Sequence, residues 1–458
     1  MNTKETSKAR DMGSGSIPKL LAQLAIPAIV AQVVNLLYNI VDRIYIGHIP
    51  EVGAAALTGV GLFTPILMLI TAFSMMVGTG GAPLTAIALG KGDTKRAEKI
   101  IGNSFTLLLV LAVILTGFFY FSAPTLLRMF GASDATLPFA VAYARIYTLG
   151  SVFVLMVMGM NSFVTTQGFA KISMMTTVIG AIINIVLDPI FIFGLNMGVK
   201  GAALATVLSQ AVGAIWVLRF LTSEKPTLRL RKENLKLDAN IVKTILGLGI
   251  ATFVMVSTES LLSISFNSSL SRYGGDLAVG AMTILTSVSQ LVTMPMQGIC
   301  QGAQPIISFN FGAGKKDRVK KTFYLEFAIC AGYAILFWAV CMFMPQIFAQ
   351  IFTNDPALVE YTAWAMRIYL ACIFAMGFQN SCQQSFMALG QAKISLLLAC
   401  LRKIILLIPL IFILPMFFQD KVFAVFLAEP VSDFVAAAIT TIAFFSQFNK
   451  ILNKSDGK

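Results

Sequence analysis

Charged residues are scarce in this chain: Asp, Glu, Lys and Arg make up 12% of its 458 residues, against 57% for the hydrophobic types. A domain dissolved in water carries roughly 25% charged residues, so there is too little polar surface here for an aqueous globule, and the alternative solvent is lipid. Histidine occurs once, as His48, at an expected outer loop where a proton relay is not indicated. The cysteines (Cys300, Cys330, Cys341, Cys372, Cys382 and Cys400) form no Cys-x-x-Cys pair and no Cys/His ligand spacing. That excludes a disulfide frame and a zinc site, and leaves the thiols as small buried apolar groups. A nucleophile–base set or a set of metal ligands with usable spacing is also missing, so an enzyme is not expected. No cleavable signal pattern precedes the polar stretch that ends at Ser16, and the first apolar run is expected to act as its own insertion signal.

Apolar helix is what the chain has in quantity. Twelve runs match the about 20 residues that a helix needs to cross ~30 Å of hydrocarbon. They lie near 20–46, 54–78, 101–121, 138–165, 173–194, 199–221, 241–268, 277–300, 322–344, 361–386, 395–417 and 421–447. None alternates with period two, which sets aside a membrane barrel. The expected fold class is therefore an all-α integral membrane protein of twelve transmembrane helices. The net charge of +13 is concentrated between the runs, at the amino terminus (Lys4, Lys8, Arg10, Lys19), in the second connection (Lys91, Lys95, Arg96, Lys99), and in the sixth and eighth connections and the carboxy terminus (Lys450, Lys454, Lys458). Odd connections carry little positive charge, so even connections and both termini are expected in the cytoplasm of a multi-pass protein of the inner cell membrane.

The second half replays the first. Gly80-Gly81-Ala82-Pro83 returns as Gly302-Ala303-Gln304-Pro305, Arg145-Ile146-Tyr147 as Arg367-Ile368-Tyr369, and Gly168-Phe169-Ala170-Lys171 as Gly390-Gln391-Ala392-Lys393. The offset is constant at about 222 residues, far beyond any solenoid period, and marks two copies of one unit. The midpoint stretch Thr222–Asn240, polar and containing Pro226, suits a linker. The expected organisation is a cytoplasmic tail at 1–16, an N-lobe at 17–221, a linker at 222–240, a C-lobe at 241–447 and a second tail at 448–458. Six helices per copy give both lobes the same orientation, related by a pseudo-two-fold axis along the membrane normal with a pathway between them.

Ionisable residues inside the runs need a reason, because each costs at least ~2.5–3.5 kcal/mol to insert. Asp42 falls in the outer half of the first run, and its neighbour Arg43 points about 100° away on a helix. Asn184 and Asp188 are spaced i, i+4 and share a helix face, while Pro189 removes an N–H and should bend the helix, freeing a carbonyl near Ile185. A carboxylate, a carboxamide and a loosened carbonyl can hold a proton or a small hard cation such as Na⁺. Glu259, among Ser257, Thr258 and Ser260, has no basic residue within two turns of its own helix and reads as a further proton or cation site. Glu429 and Asp433, i, i+4 around Pro430, are candidates for a substrate cavity, as is Gln304. Arg145 and Arg367 occupy equivalent repeat positions and read as structural, while Glu326, Arg402 and Lys403 are expected to reach a membrane surface. The 22 methionines and 36 phenylalanines could line a pocket of adaptable shape, with cation–π contacts favouring lipophilic cations.

On these residues the chain resembles the MATE family, the multidrug and toxic-compound extrusion transporters, in its bacterial polyspecific drug-efflux branch. The resemblance spans roughly 17–447. It rests on Val41-Asp42-Arg43-Ile44-Tyr45-Ile46-Gly47, Asn184-x-x-x-Asp188-Pro189, Gly302-Ala303-Gln304-Pro305-Ile306 and the six-plus-six repeat. It implies a V-shaped pair of bundles that alternates access and exchanges small-molecule drugs or lipophilic cations for H⁺ or Na⁺, with no cofactor and no metal beyond a transient Na⁺. It also implies that Pro27 is a bending proline, that Asp42, Asn184 and Asp188 form the N-lobe ion-coupling cluster, and that Glu259 is the acidic position of the seventh helix. Sodium-coupled members also carry an aspartate on the tenth helix, and the run 361–386 has no acid after its first residue. The protein is expected to work as a monomer in the bilayer, without nucleic acid. A lipid-linked oligosaccharide flippase of the same superfamily remains the alternative, although such a cavity should be lined with arginine to grip phosphate. A channel is a weaker one, with no repeated filter motif visible.

Overall fold

A chain in lipid has to satisfy its own backbone polar groups, and this one does so with helix throughout the described residues, 12–352 and 355–454. Lys4, Lys8, Arg10 and Lys458 of the expected tails lie outside the described residues. The first half of the computed structural model contains α1 (Ile17–Gly47), α2 (Gly53–Gly90), α3 (Thr94–Met129), α4 (Leu137–Leu149), α5 (Ser151–Thr166), α6 (Ala170–Pro189) and α7 (Val199–Thr222). The second half contains α8 (Ala239–Gly275) and α9 (Leu277–Gly312), then α10 (Lys316–Phe343), α11 (Pro345–Phe352), α12 (Pro356–Tyr369), α13 (Ala375–Ala388), α14 (Ala392–Cys400), α15 (Ile408–Phe417) and α16 (Lys421–Lys454). Gly275, at φ +64°, makes the sharp turn between α8 and α9, a conformation that a side chain would disfavour.

Ten helical segments are each long and apolar enough to cross a membrane, and α4 with α5 supplies another across a 55° bend. The expected span 361–386 is less regular than its sequence suggests. It is divided into α12 and α13 by turns at Leu370–Phe374, and α13 buries the polar side chains of Gln379, Ser381, Gln383 and Ser385. Buried polar side chains lower the hydropathy of a span without exposing it to water.

The core divides in two and is then bridged. One apolar cluster runs through α2 to α7, a second through α8, α9, α10, α12, α15 and α16. A third joins the start of α1 (Leu20, Leu21, Leu24) to Ile306, Phe323 and Phe444 of the second half. So α1 is shared: its first turns pack in the second bundle, and its later turns pack against α6. Before it, the carbonyls of Met12, Gly13 and Gly15 accept from Asn310, Lys315 and Arg318 at 2.7–2.9 Å.

At the basic end the two halves meet through small residues. A Cβ on Gly90 would overlap the Phe309 carbonyl, and one on Gly312 would overlap the Ile87 carbonyl. Gly90 and Gly312 are repeat equivalents, as are Ile87 and Phe309, so the contact is reciprocal in the way a two-fold axis demands. Gly249 likewise admits the Met76 carbonyl, and Thr79 donates to Thr252 across the seam at 2.9 Å. Gly312→Val is therefore expected to prise α2 from α9 at a cost of about 1–3 kcal/mol, read as a lower unfolding temperature in detergent. An unchanged midpoint would contradict the close packing.

Candidate functional site

Three side chains that the sequence singled out come together. Asp42, late on α1, lies beside Asp188 near the end of α6, close enough for the two carboxyl groups to interact. Asn184, one turn back from Asp188, donates to its Oδ1 at 3.3 Å and to Thr206 Oγ1 of α7 at 3.4 Å. All three are buried, and Tyr38 and Tyr143 pack beside them. Asp42 Oδ1, Asp188 Oδ2 and Asn184 Oδ1 have no hydrogen-bond donor in the protein. Among the described residues, neither aspartate forms an ion pair with a lysine or arginine. Two carboxyl groups in contact repel unless a proton or a cation stands between them. Three orphaned oxygens around such a pair are the donor set of a small hard cation or of an exchangeable proton.

The Asn184–Asp188 spacing works as read, with both groups on the α6 face turned to α1. The bend expected one turn before Pro189 lies elsewhere. The helix stays α-helical through Pro189 and then widens into a π turn, Ile190–Gly194, in which Leu195 donates to the Ile190 carbonyl at 2.8 Å. The departure from α geometry thus comes after the proline, and the stretch that carries Asn184 and Asp188 stays α-helical. The signal that adds Thr206 and Tyr143 to the cluster is tertiary, since they arrive from α7 and α4, whereas Tyr38 stands four residues before Asp42 on α1 and was open to the same i, i+4 reading.

Below the cluster, toward the basic end, lies a cavity of about 350 Å³ enclosed by α1, α2, α5, α6 and α7 and completed by α9. Tyr38 belongs both to its wall and to the surroundings of Asp42. Gln304 lines it, as expected, and so does Pro27, which stands where α1 passes from the second bundle into the first. The apolar contacts come from Met75, Met158, Met174 and Val157, and the polar ones from hydroxyls and carboxamides. The expectation of acids and phenylalanines in the wall is not met: among the described residues, none that lines the cavity is Asp, Glu, Lys, Arg or Phe. Hydrophobicity by itself could not separate the phenylalanines of the lipid face and the cores from residues facing a cavity.

The acids of the second half have a different setting. Glu259 is not the isolated carboxyl that its own helix suggests, because Lys403 pairs with it and also donates to the Met255 carbonyl at 2.7 Å. Glu429 and Asp433 are held by one guanidinium: Arg402 Nε lies 2.8 Å from Asp433 and an Nη lies 3.2 Å from Glu429. Neither lines the cavity. The expectation that Arg402 and Lys403 reach a membrane surface, from their place near the end of a run, is not met; both are largely buried, on a π-helical stretch at Leu401–Leu407. Adjacent on a helix, they diverge, so that one meets α16 and the other α8. Glu326 is likewise buried, 1% exposed, with Ser385 Oγ at 3.5 Å. Of the remaining residues, Arg145 lies over the Tyr120 ring at 5.6 Å, Arg367 donates to the Met342 carbonyl at 3.4 Å, and His48 contacts only the Ile44 carbonyl of its own helix, at 2.8 Å.

A buried acid pair without a countercharge in one copy, and Glu259, Glu429 and Asp433 paired with Lys403 and Arg402 in the other, describe a repeat whose copies have diverged. The family model described as MatE matches the chain twice, over residues 27–190 and 251–413, in step with that repeat. The chain belongs to the MATE family. It is a multi-pass membrane protein of this family of multidrug efflux transporters. Its relatives include the multidrug export protein MepA of Staphylococcus haemolyticus, 26% identical over 434 residues and 93% of each chain, and that of Staphylococcus aureus, 24% identical over 86% of this chain and 87% of the relative. A MATE crystal structure in the bent conformation superposes with a TM-score of 0.91 over 100% of both chains at 24% identity. An outward-facing multidrug resistance MATE transporter of the MOP superfamily gives 0.90 over 98% of this chain and 99% of that one, also at 24%. The fold expected of a MATE protein, two pseudo-symmetric bundles of six helices, is the fold observed.

Proposed function

We propose that this MATE protein is a secondary antiporter of the cell membrane that exports small molecules in exchange for H⁺ or Na⁺ by alternating access. It works as a monomer with both termini in the cytoplasm. The observation that carries this reading is the unpaired acid cluster of Asp42, Asp188 and Asn184, set on two helices, α1 and α6, that also line a cavity, in a protein whose relatives are named multidrug exporters. An ion or proton entering the cluster neutralises the Asp42–Asp188 repulsion and draws the end of α1 against α6. Pro27, which cannot donate to the preceding turn, is the place where α1 can bend in response, and Pro27 is a wall of the cavity. The start of α1 is packed in the second bundle, so a bend at Pro27 changes the relation of the bundles as well as the shape of the cavity. Coupling then runs through α1 and not through a charge shared by ion and drug, because the wall offers none. A ligand can shift the cycle only by binding one state better than the other. Glu259, Glu429 and Asp433 of the second bundle are already neutralised by Lys403 and Arg402, and the buried Glu326 is a single carboxyl that does not line the cavity, so the exchange site is assigned to the first.

The flippase reading needs cations to grip phosphate, and the absence of Lys and Arg from the cavity wall weighs against it. The test is export from inverted vesicles with a proton gradient and a sodium gradient imposed separately. One of the two is expected to drive uptake of a fluorescent drug. If neither does while the protein is folded and inserted, antiport is refuted.

A further inference from the structure

We propose that Gln297, Gln301 and Gln304 form a carboxamide comb through which the second bundle reads the cargo held in the first, and that this cavity selects uncharged molecules carrying hydrogen-bond donors and acceptors beside an apolar body. This rests on the cavity being the cargo site. The comb is built by alternation along α9. Gly298 and Gly302 lie against α1, where a Cβ would crowd the backbone of Ile29 and Ala25, so α1 and α9 touch backbone to backbone. The glutamines next to them, rotated about 100° round the helix and spaced i, i+4, i+7, share one face. That face passes beside α1 into the cavity, and all three side chains line it.

Their hydrogen-bonding capacity is free. Among the described residues none of the three side chains has a partner in the protein, and the same holds for Gln32 and Asn35 on the facing side of α1. Gln210 Oε1, in the same wall, is buried and unpartnered. Each carboxamide offers two donors and an acceptor oxygen, so a polar solute can exchange its bonds to water for bonds to the wall. A cation has no such exchange: it would lose its hydration to a wall of dipoles without a full countercharge. The acids nearest to it, Asp42 and Asp188, face each other beyond Tyr38. The methionines supply the apolar, shape-tolerant part of the surface. A site built to hydrogen-bond a group rejects the analogue that lacks it far more strongly than an apolar pocket discriminates by size. Because the comb belongs to the second bundle, the site is complete only while α9 lies against α1, and cargo therefore favours that arrangement.

The experiment is equilibrium binding to the full-length purified protein in detergent, with no gradient present. The probes are radiolabelled chloramphenicol, which is uncharged and carries an amide N–H and hydroxyls, and tetraphenylphosphonium, a permanent cation with no hydrogen-bonding group. Chloramphenicol is expected to bind more tightly. Gln301→Leu should weaken it at least about tenfold, the scale of one lost hydrogen-bonding group, and leave tetraphenylphosphonium unchanged; Gln301→Glu should strengthen tetraphenylphosphonium. Tighter binding of the cation by the unmodified protein overturns the proposal. So does an equal loss of both probes in Gln301→Leu, or no loss of either. Ligand-free unfolding midpoints identify a variant that has simply failed to fold, and Gln301→Glu then decides. Binding without a gradient reads the cavity whether or not export is ion-driven. Gradient-driven export of tetraphenylphosphonium by a protein that does not bind chloramphenicol would sink the cargo class and leave antiport standing.

Discussion

Asp188→Asn is expected to abolish gradient-driven export, by a factor on the order of 100, the scale of a full coupling free energy, while the protein remains folded and inserted. The carboxamide is nearly isosteric and keeps an oxygen for the Asn184 Nδ2 that Asp188 Oδ1 accepts from at 3.3 Å. It cannot take up and release a proton, and it offers no full charge to a cation. Removing one of two carboxyl groups in contact also removes their repulsion, so the unfolding midpoint should hold or rise. Asp42→Asn should behave in the same way. Since the two acids act as one unit, the double variant should be no worse than either single one, a non-additivity that a pair of independent sites would not show. Undiminished drug export by Asp188→Asn, measured in inverted vesicles under whichever gradient drives the unmodified protein, would refute the coupling role.

The second large effect concerns stability. Arg402→Met leaves Glu429 and Asp433 buried together without a cation, and breaking a buried ion pair from one side costs about 3–5 kcal/mol. A sharp fall in unfolding temperature is expected. Adding Glu429→Gln and Asp433→Asn should recover most of it, because a neutral trio needs no countercharge. Lys403→Met should cost less, since the Glu259 side chain is 54% exposed and can be solvated when its partner is lost. Equal losses from the two single variants would contradict this ranking. The contrast also separates two clusters: Asp42 and Asp188 lack a countercharge and suit exchange, while Glu429 and Asp433 have one and suit structure.

How much of this could be read in advance depended on range. Asn184 and Asp188 were legible because four residues on a helix decide that they share a face. Asp42 was legible as an acid without a suitable neighbour on its own helix, yet that same reasoning misled at Glu259. There the partner, Lys403, stands 144 residues away in sequence and only the packing of the Leu401–Leu407 stretch against α8 brings it near. Gln304 was visible only as part of a repeated motif. Its companions Gln297 and Gln301 were there to be seen at i, i+4, i+7 spacing, but carboxamides inside a span carry no charge to draw notice.

The number of spans, the repeat and the membrane setting follow from composition and periodicity, because lipid imposes helix and about 20 apolar residues wherever a chain crosses it. Those constraints act within single segments and can be read without coordinates. Which acids remain free, which glutamines face a cavity, and that α1 belongs to both bundles depend on side chains from distant segments sharing a few ångströms. Those facts are set by packing, through glycine contacts that draw α1, α2, α8 and α9 together, and only the tertiary structure could decide them.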